Sequence, residues 1–122
     1  VWVVLEETAL NVGNALARTG SYEVIQLLGE TLRGYSSSDR AAYIAGYALA
    51  HNNQEQAVRN LLDWTSNAVD EDSDLAEEWL RTAMENNPSA VNVIMKETVH
   101  KKFDSPEVEA VISLLTSEYA SK

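Results

Sequence analysis

The chain has 122 residues, no cysteine, a formal net charge of −10 and a sequence pI near 4.5. That length suits a single domain whose core needs no disulfide or metal. The missing cysteine excludes disulfide frameworks, thiol nucleophiles and cysteine zinc sites, and the negative charge argues against direct contact with free nucleic acid or an anionic membrane. The charge is also uneven. Between residues 51 and 87 nine acids (Glu55, Asp63, Asp70, Glu71, Asp72, Asp74, Glu77, Glu78, Glu85) face only Arg59 and Arg81.

Seven helices are expected, in chain order. The first, near 2–18, opens on Val1-Trp2-Val3-Val4-Leu5 and carries the stripe Leu5, Ala9, Val12, Leu16. Glu6-Glu7 interrupts that apolar opening, leaving it too short for a membrane span and without the basic flank of a signal peptide. It is expected to dock on the second helix or to join two chains as a homo-oligomer. Gly20-Ser21 ends the first helix and starts the second, near 22–33, with Val24, Ile25, Leu28 and Leu32. Gly34 closes that helix, and Ser36-Ser37-Ser38 supplies the next N-cap. The third, near 39–51, is apolar almost all round and so reads as central. Its alanines and Gly46 would let neighbours come close.

Asn53 with Gln56 reads as a capping box for the fourth helix, which buries Val58, Leu61, Leu62, Thr65 and Val69. Asp74 with Glu77 reads as a second box, opening the fifth helix after an acidic link; its stripe is Leu75/Ala76, Trp79/Leu80, Ala83/Met84. Asn87-Pro88 and Ser105-Pro106 each place a proline at the first position of the sixth and seventh helices. The seventh buries Val108, Val111, Ile112, Leu115 and Tyr119. Of the tryptophans, Trp79 belongs to the core, Trp64 either closes a gap between hairpins or anchors a partner, and Trp2 is exposed unless it caps the stack or meets another chain.

The chain repeats itself. Gly13-Asn14-Ala15-Leu16-Ala17 returns 33 residues later as Gly46-Tyr47-Ala48-Leu49-Ala50, and Asn52-Asn53 returns at an offset of 34 as Asn86-Asn87. A period of this length means one helical hairpin per unit, stacked on the next. The pattern Val12-Gly13-x-x-Leu16-x-x-x-Gly20-x-Tyr22-x-x-Ile25 resembles the tetratricopeptide repeat, with its close-packing pair, turn glycine and following tyrosine. In the second unit Asn53 stands for the turn glycine, and in the third Trp79-Leu80 replaces the small pair. HEAT-like or unclassified hairpins fit the same pattern. The expected fold is all-α, about seven helices in antiparallel hairpins, as a short right-handed α-solenoid or a compact bundle. It forms one domain over 1–122, with units near 2–34, 38–69 and 73–102 and a capping helix at 105–120.

The resemblance implies a groove lined by the first helix of each hairpin, holding a peptide. Its residues would be Asn11, Asn14 and Arg18, then Arg40, Tyr43, Tyr47 and His51, then Arg81, with Asn14, Tyr47 and Arg81 in equivalent positions. The rival reading puts Tyr43 and Tyr47 in the core. Of the family's carboxylate clamp only Asn14 is present; Leu10 stands where a lysine is expected. Asp70-x-Asp72-x-Asp74 starts like a calcium loop, but Leu75 and Arg81 occupy the places of the required glycine and glutamate. His51 and His100 lie 49 residues apart, outside any ligand-spaced motif, and no nucleophile elbow or phosphate loop occurs. The expected protein is a soluble, cytoplasmic, non-catalytic module that binds a protein or peptide, without cofactor or metal. The alternatives are an acidic inhibitor or nucleic-acid mimic that binds a basic nucleic-acid-binding protein, and a helical subunit of an oligomeric assembly.

Overall fold

The computed structural model describes residues 11–18, 20–34, 40–69 and 71–120, and no strand occurs among them. The elements are α1 (residues 11–17), α2 (Tyr22–Gly34), α3 (Arg40–His51), α4 (Glu55–Thr65), α5 (Glu71–Asn86), α6 (Ser89–Thr98) and α7 (Pro106–Ala120). The expected all-α class is therefore observed. Val1–Leu5, Trp2, the Ser36–Ser38 cap and Asp70 lie outside the described residues.

Local signals explain most of these boundaries. Ser21 accepts the Val24 backbone N–H at 3.4 Å, and Ser105 does the same for Val108 at 3.4 Å, so both serines cap the helices that follow. Pro106 opens α7, where its missing N–H costs nothing. Other expected starts are moved. Helix α4 begins at Glu55 behind Gln54, which makes no side-chain cap bond, and Gln56 instead donates to Asn60 at 2.9 Å. The Asn53–Gln56 box does not form. Helix α5 starts at Glu71, which places Asp74 inside the helix rather than at its cap. Pro88 is the N-cap of α6, one position before the expected place. Val69 is 43% exposed because α4 ends at Thr65, before it, and Val12 is 44% exposed although it was expected on the core stripe. No glycine has a left-handed backbone, so the Gly20 turn does not depend on that freedom.

The helices form two layers. Consecutive helices pack together, and so do alternate ones: α3 on α5 and α5 on α7 in one layer, α2 on α4 and α4 on α6 in the other. Helix α1 joins the first layer through the Tyr47 hydroxyl, which donates to Asn14 at 2.9 Å, and the Asn52 amide, which donates to the Ala17 carbonyl at 3.0 Å. These two pairs rise together in sequence, so α1 and α3 run parallel. Asn60–Ile25, His51–Asn86, Arg59–Glu97 and Tyr119–Glu85 repeat this registration at offsets of 34 to 38. Parallel neighbours joined through an intervening helix make each consecutive pair a hairpin. The sequence repeat is thus the registration of one hairpin on the next.

Glycine sockets set that registration. A Cβ on Gly13 would lie 2.6 Å from the Tyr47 ring, and one on Gly46 would overlap the Trp79 ring. Each glycine of the first layer therefore receives an aromatic ring from the next helix. Trp79, which replaces the small pair of the third unit, is the knob that fills the second unit's socket. Its ring also meets Trp64 at 5.1 Å and Tyr43 at 5.8 Å, so Trp64 closes the space between hairpins. In the other layer Gly29 faces the buried Asn60 side chain, which donates to the Ile25 carbonyl at 3.1 Å.

Buried asparagines tie the turns. Asn52 bonds the Ala17 carbonyl and accepts the Gln54 N–H at 2.8 Å. Asn87, 35 residues on, bonds the Asn53 carbonyl at 3.1 Å and accepts the Ser89 N–H at 3.1 Å. Each satisfies its own turn and holds the end of the preceding first-layer helix. A buried amide of this kind stabilises only while its partners stay in place.

Candidate functional site

The sequence-selected residues gather on the layer made by α1, α3, α5 and α7. Asn11, Asn14, Arg18 and Arg40 are exposed; Tyr43, Tyr47, His51 and Arg81 are half-buried. Their environments differ. Tyr43 packs on the core beside Trp79. Tyr47 seats its ring over Gly13 and turns its hydroxyl to Asn14. Both tyrosines thus combine a packing role with an accessible edge.

His51 ends α3. Its ring lies 4.2 Å from that of Tyr47, and its Nδ1 is 3.3 Å from the Asn86 amide nitrogen. Burial lowers its pKa, so the neutral ring is favoured, and its Nδ1 can accept the Asn86 N–H when the proton sits on Nε2. Asn14, Tyr47, His51 and Asn86 therefore form a continuous polar line across three helices.

Arg81 stands apart from this line. Its guanidinium lies 3.5 Å from Glu77 and 4.0 Å from Glu118, and the Tyr119 hydroxyl donates to Glu85 at 2.9 Å. Desolvation lowers the Arg81 pKa, but Tyr119, Glu118 and Glu77 more than offset it and the net shift is upward. The hydrogen bond to Glu85 is the main cause of the raised Tyr119 pKa, and Arg81 opposes it. Arg81 thus engages α7, while Tyr47 engages α1. The equivalence of Asn14, Tyr47 and Arg81 holds as a place on successive first-layer helices, and only Asn14 and Tyr47 bond to each other.

Asn86, Glu85, Glu118 and Tyr119 complete this face and were not selected from the sequence. Tyr119 was assigned to the core because it follows Val108, Ile112 and Leu115 at helical spacing. The available signal was its offset of 34 from Glu85, the period of the repeat.

The charge of the layer changes along the stack. The described residues of α1, with Arg18 just after it, and of α3, with Arg40 at its start, contain no acid. Helices α5 and α7 contain Glu71, Asp72, Asp74, Glu77, Glu78, Glu85, Glu107, Glu109 and Glu118 against the single base Arg81. Among the described residues no three acidic or histidine side chains come together as a metal-ion site, and no helix is long and apolar enough to cross a membrane. No protein-family model, curated protein or solved structure matches the chain.

Proposed function

We propose that the chain is a non-catalytic helical-repeat module that binds a protein or peptide through the layer of α1, α3, α5 and α7, as an adaptor or scaffold domain. The observation that carries this reading is the polar line Asn14–Tyr47–His51–Asn86, contributed by α1, α3 and α5, with Asn14–Tyr47 and His51–Asn86 each paired across one repeat. Stacked hairpins present a row of side chains on one layer, and such rows suit extended ligands. The tetratricopeptide-like resemblance supports the same surface. The side chains Asn14 and Asn86 are exposed, so they keep donors and acceptors for a ligand.

The test is a capture experiment with the chain as bait, followed by titration of the captured partner against variants. Asn14→Ala combined with Asn86→Ala should weaken binding by about tenfold or more, roughly 1.4 kcal/mol, with a shallow dependence on salt. Unchanged affinity in a folded double variant would exclude this face. A steep salt dependence flattened by Asp72→Asn/Asp74→Asn would favour the acidic-inhibitor alternative instead.

A further inference from the structure

Helix α7 carries two stripes. Val108, Ile112 and Leu115 are buried, with Tyr119 packed at their end. Glu107, Val111, Leu114 and Glu118 recur at the same helical spacing on another side. Leu114 is 65% exposed and Val111 half-buried, so the second stripe has an apolar centre with an acid at each end. Arg81 of α5 reaches both Glu77, 3.5 Å away, and Glu118, 4.0 Å away, so these two acids border the side of α5 that faces α7. Apart from Arg81, which Glu77, Glu118 and Tyr119 already engage, α5 and α7 contain no basic residue. A lone exposed leucine is ordinary. A leucine–valine step inside a rim of carboxylates selects a ligand by charge as well as by apolar contact.

We propose that the α5–α7 end of the layer docks an amphipathic helix whose apolar stripe is flanked by lysine or arginine. This rests on the reading of the chain as a binding module and names the chemistry of its partner at one end. The apolar stripe would cover Leu114 and Val111, and its basic flanks would meet Glu107, Glu118 and Glu77, as in helix-in-groove recognition.

Three synthetic helical peptides test this against the intact chain: a leucine stripe flanked by lysines, the same stripe flanked by glutamines, and the lysine peptide with its leucines replaced by serine. The first should bind, and the other two should bind at least about tenfold more weakly. Leu114→Ser should weaken the first peptide by about tenfold. The exposure of Leu114 leaves the core intact, which an unchanged urea midpoint would verify. Glu107→Gln with Glu77→Gln should flatten the salt dependence. The proposal is overturned if the lysine–leucine peptide does not bind, or if the serine peptide binds as well. Equal binding of the glutamine peptide would remove the role of charge. Self-association abolished by Leu114→Ser would make a second copy the occupant and overturn it equally. If the peptide fails while Asn14→Ala/Asn86→Ala still weakens the captured partner, this inference falls and the broader reading stands.

Discussion

The joint between α3 and α5 and the joint between α5 and α7 hold equivalent helices by different means. At the first, the Trp79 ring occupies the space over Gly46, beside half-buried Tyr43 and buried Trp64. At the second, apolar packing by Val108, Ile112 and Leu115 is accompanied at the surface by Arg81–Glu118 and Tyr119–Glu85. The other layer shows the same change. Gly29 receives buried Asn60 between α2 and α4, whereas Arg59–Glu97 and Lys101–Asp63 join α4 to the end of α6 and the turn after it. Shape fixes register where a ring must enter a socket, because a small displacement makes atoms overlap. Exposed ion pairs fix it weakly, since water and salt screen them. The early joints should therefore be intolerant of change and the late joint forgiving.

The largest effect should come from the Gly46 socket. Gly46→Leu should overpack it and lower stability by about 1–3 kcal/mol or more. Gly46→Ala should also lose stability, although alanine is favoured in a helix by about 1 kcal/mol over glycine. Gly34→Ala is the control: nothing lies within 4 Å of its Cβ, and its backbone is not left-handed. It should hold or slightly raise the urea midpoint. Equal midpoints for Gly46→Ala and Gly34→Ala would show that the socket does not set register.

A middle effect should follow from the buried amides. Asn52→Leu strands the Ala17 carbonyl and the Gln54 N–H, and should cost about 1–3 kcal/mol. Asn87→Leu, which strands the Asn53 carbonyl and the Ser89 N–H, should cost a similar amount. Hydrogen exchange should show which turn opens first. Loss confined to the α5–α6 turn in the Asn87 variant would sharpen the comparison, and loss throughout the chain would show that the stack unfolds as one unit.

The smallest effects belong to the late joint and to His51. Tyr119→Phe removes the bond to Glu85 and should leave the urea midpoint unchanged within scatter. A clear drop would mean that the surface pairs carry register after all. His51 has a depressed folded pKa, so its contribution is present above its unfolded pKa and is lost as the pH falls through the folded one. The difference between the midpoints of the parent and of His51→Asn should be constant near neutral pH and change as the pH falls below about 6.5, with the parent falling more steeply. Parallel curves would show that His51 keeps its proton equilibrium on folding.

Much of the architecture was legible in the chain. The recurring Gly-x-Ala-Leu-Ala segments, the serine and proline starts before α2 and α7 and the stripes of α2, α5 and α7 dictate helices, because a 3.6-residue period can bury one side only in a helix. Gly46 was recognisable as a close-contact position from the smallness of its surroundings. Asn14, Tyr47 and Arg81 were selectable because the tetratricopeptide-like resemblance puts equivalent places of successive hairpins on one face.

Other features depended on neighbours far away in sequence. Asn53 looked like an N-cap, yet Asn52 beside it is the buried member, because the carbonyl it satisfies belongs to Ala17 in the previous unit. Trp79 looked like a departure from the repeat, yet it is the complement of Gly46. Tyr119 looked like core, yet its hydroxyl reaches Glu85, and Arg81 turned to Glu118 rather than toward the line that includes Tyr47. Periodicity and caps act within a few residues, so the sequence by itself determined the helices and their repeat. Which ring fills which socket, which amide meets which carbonyl and which charges become neighbours are contacts across some 35 residues. Only the packing of one hairpin on the next decided them, because steric fit and polar satisfaction are properties of two surfaces brought together.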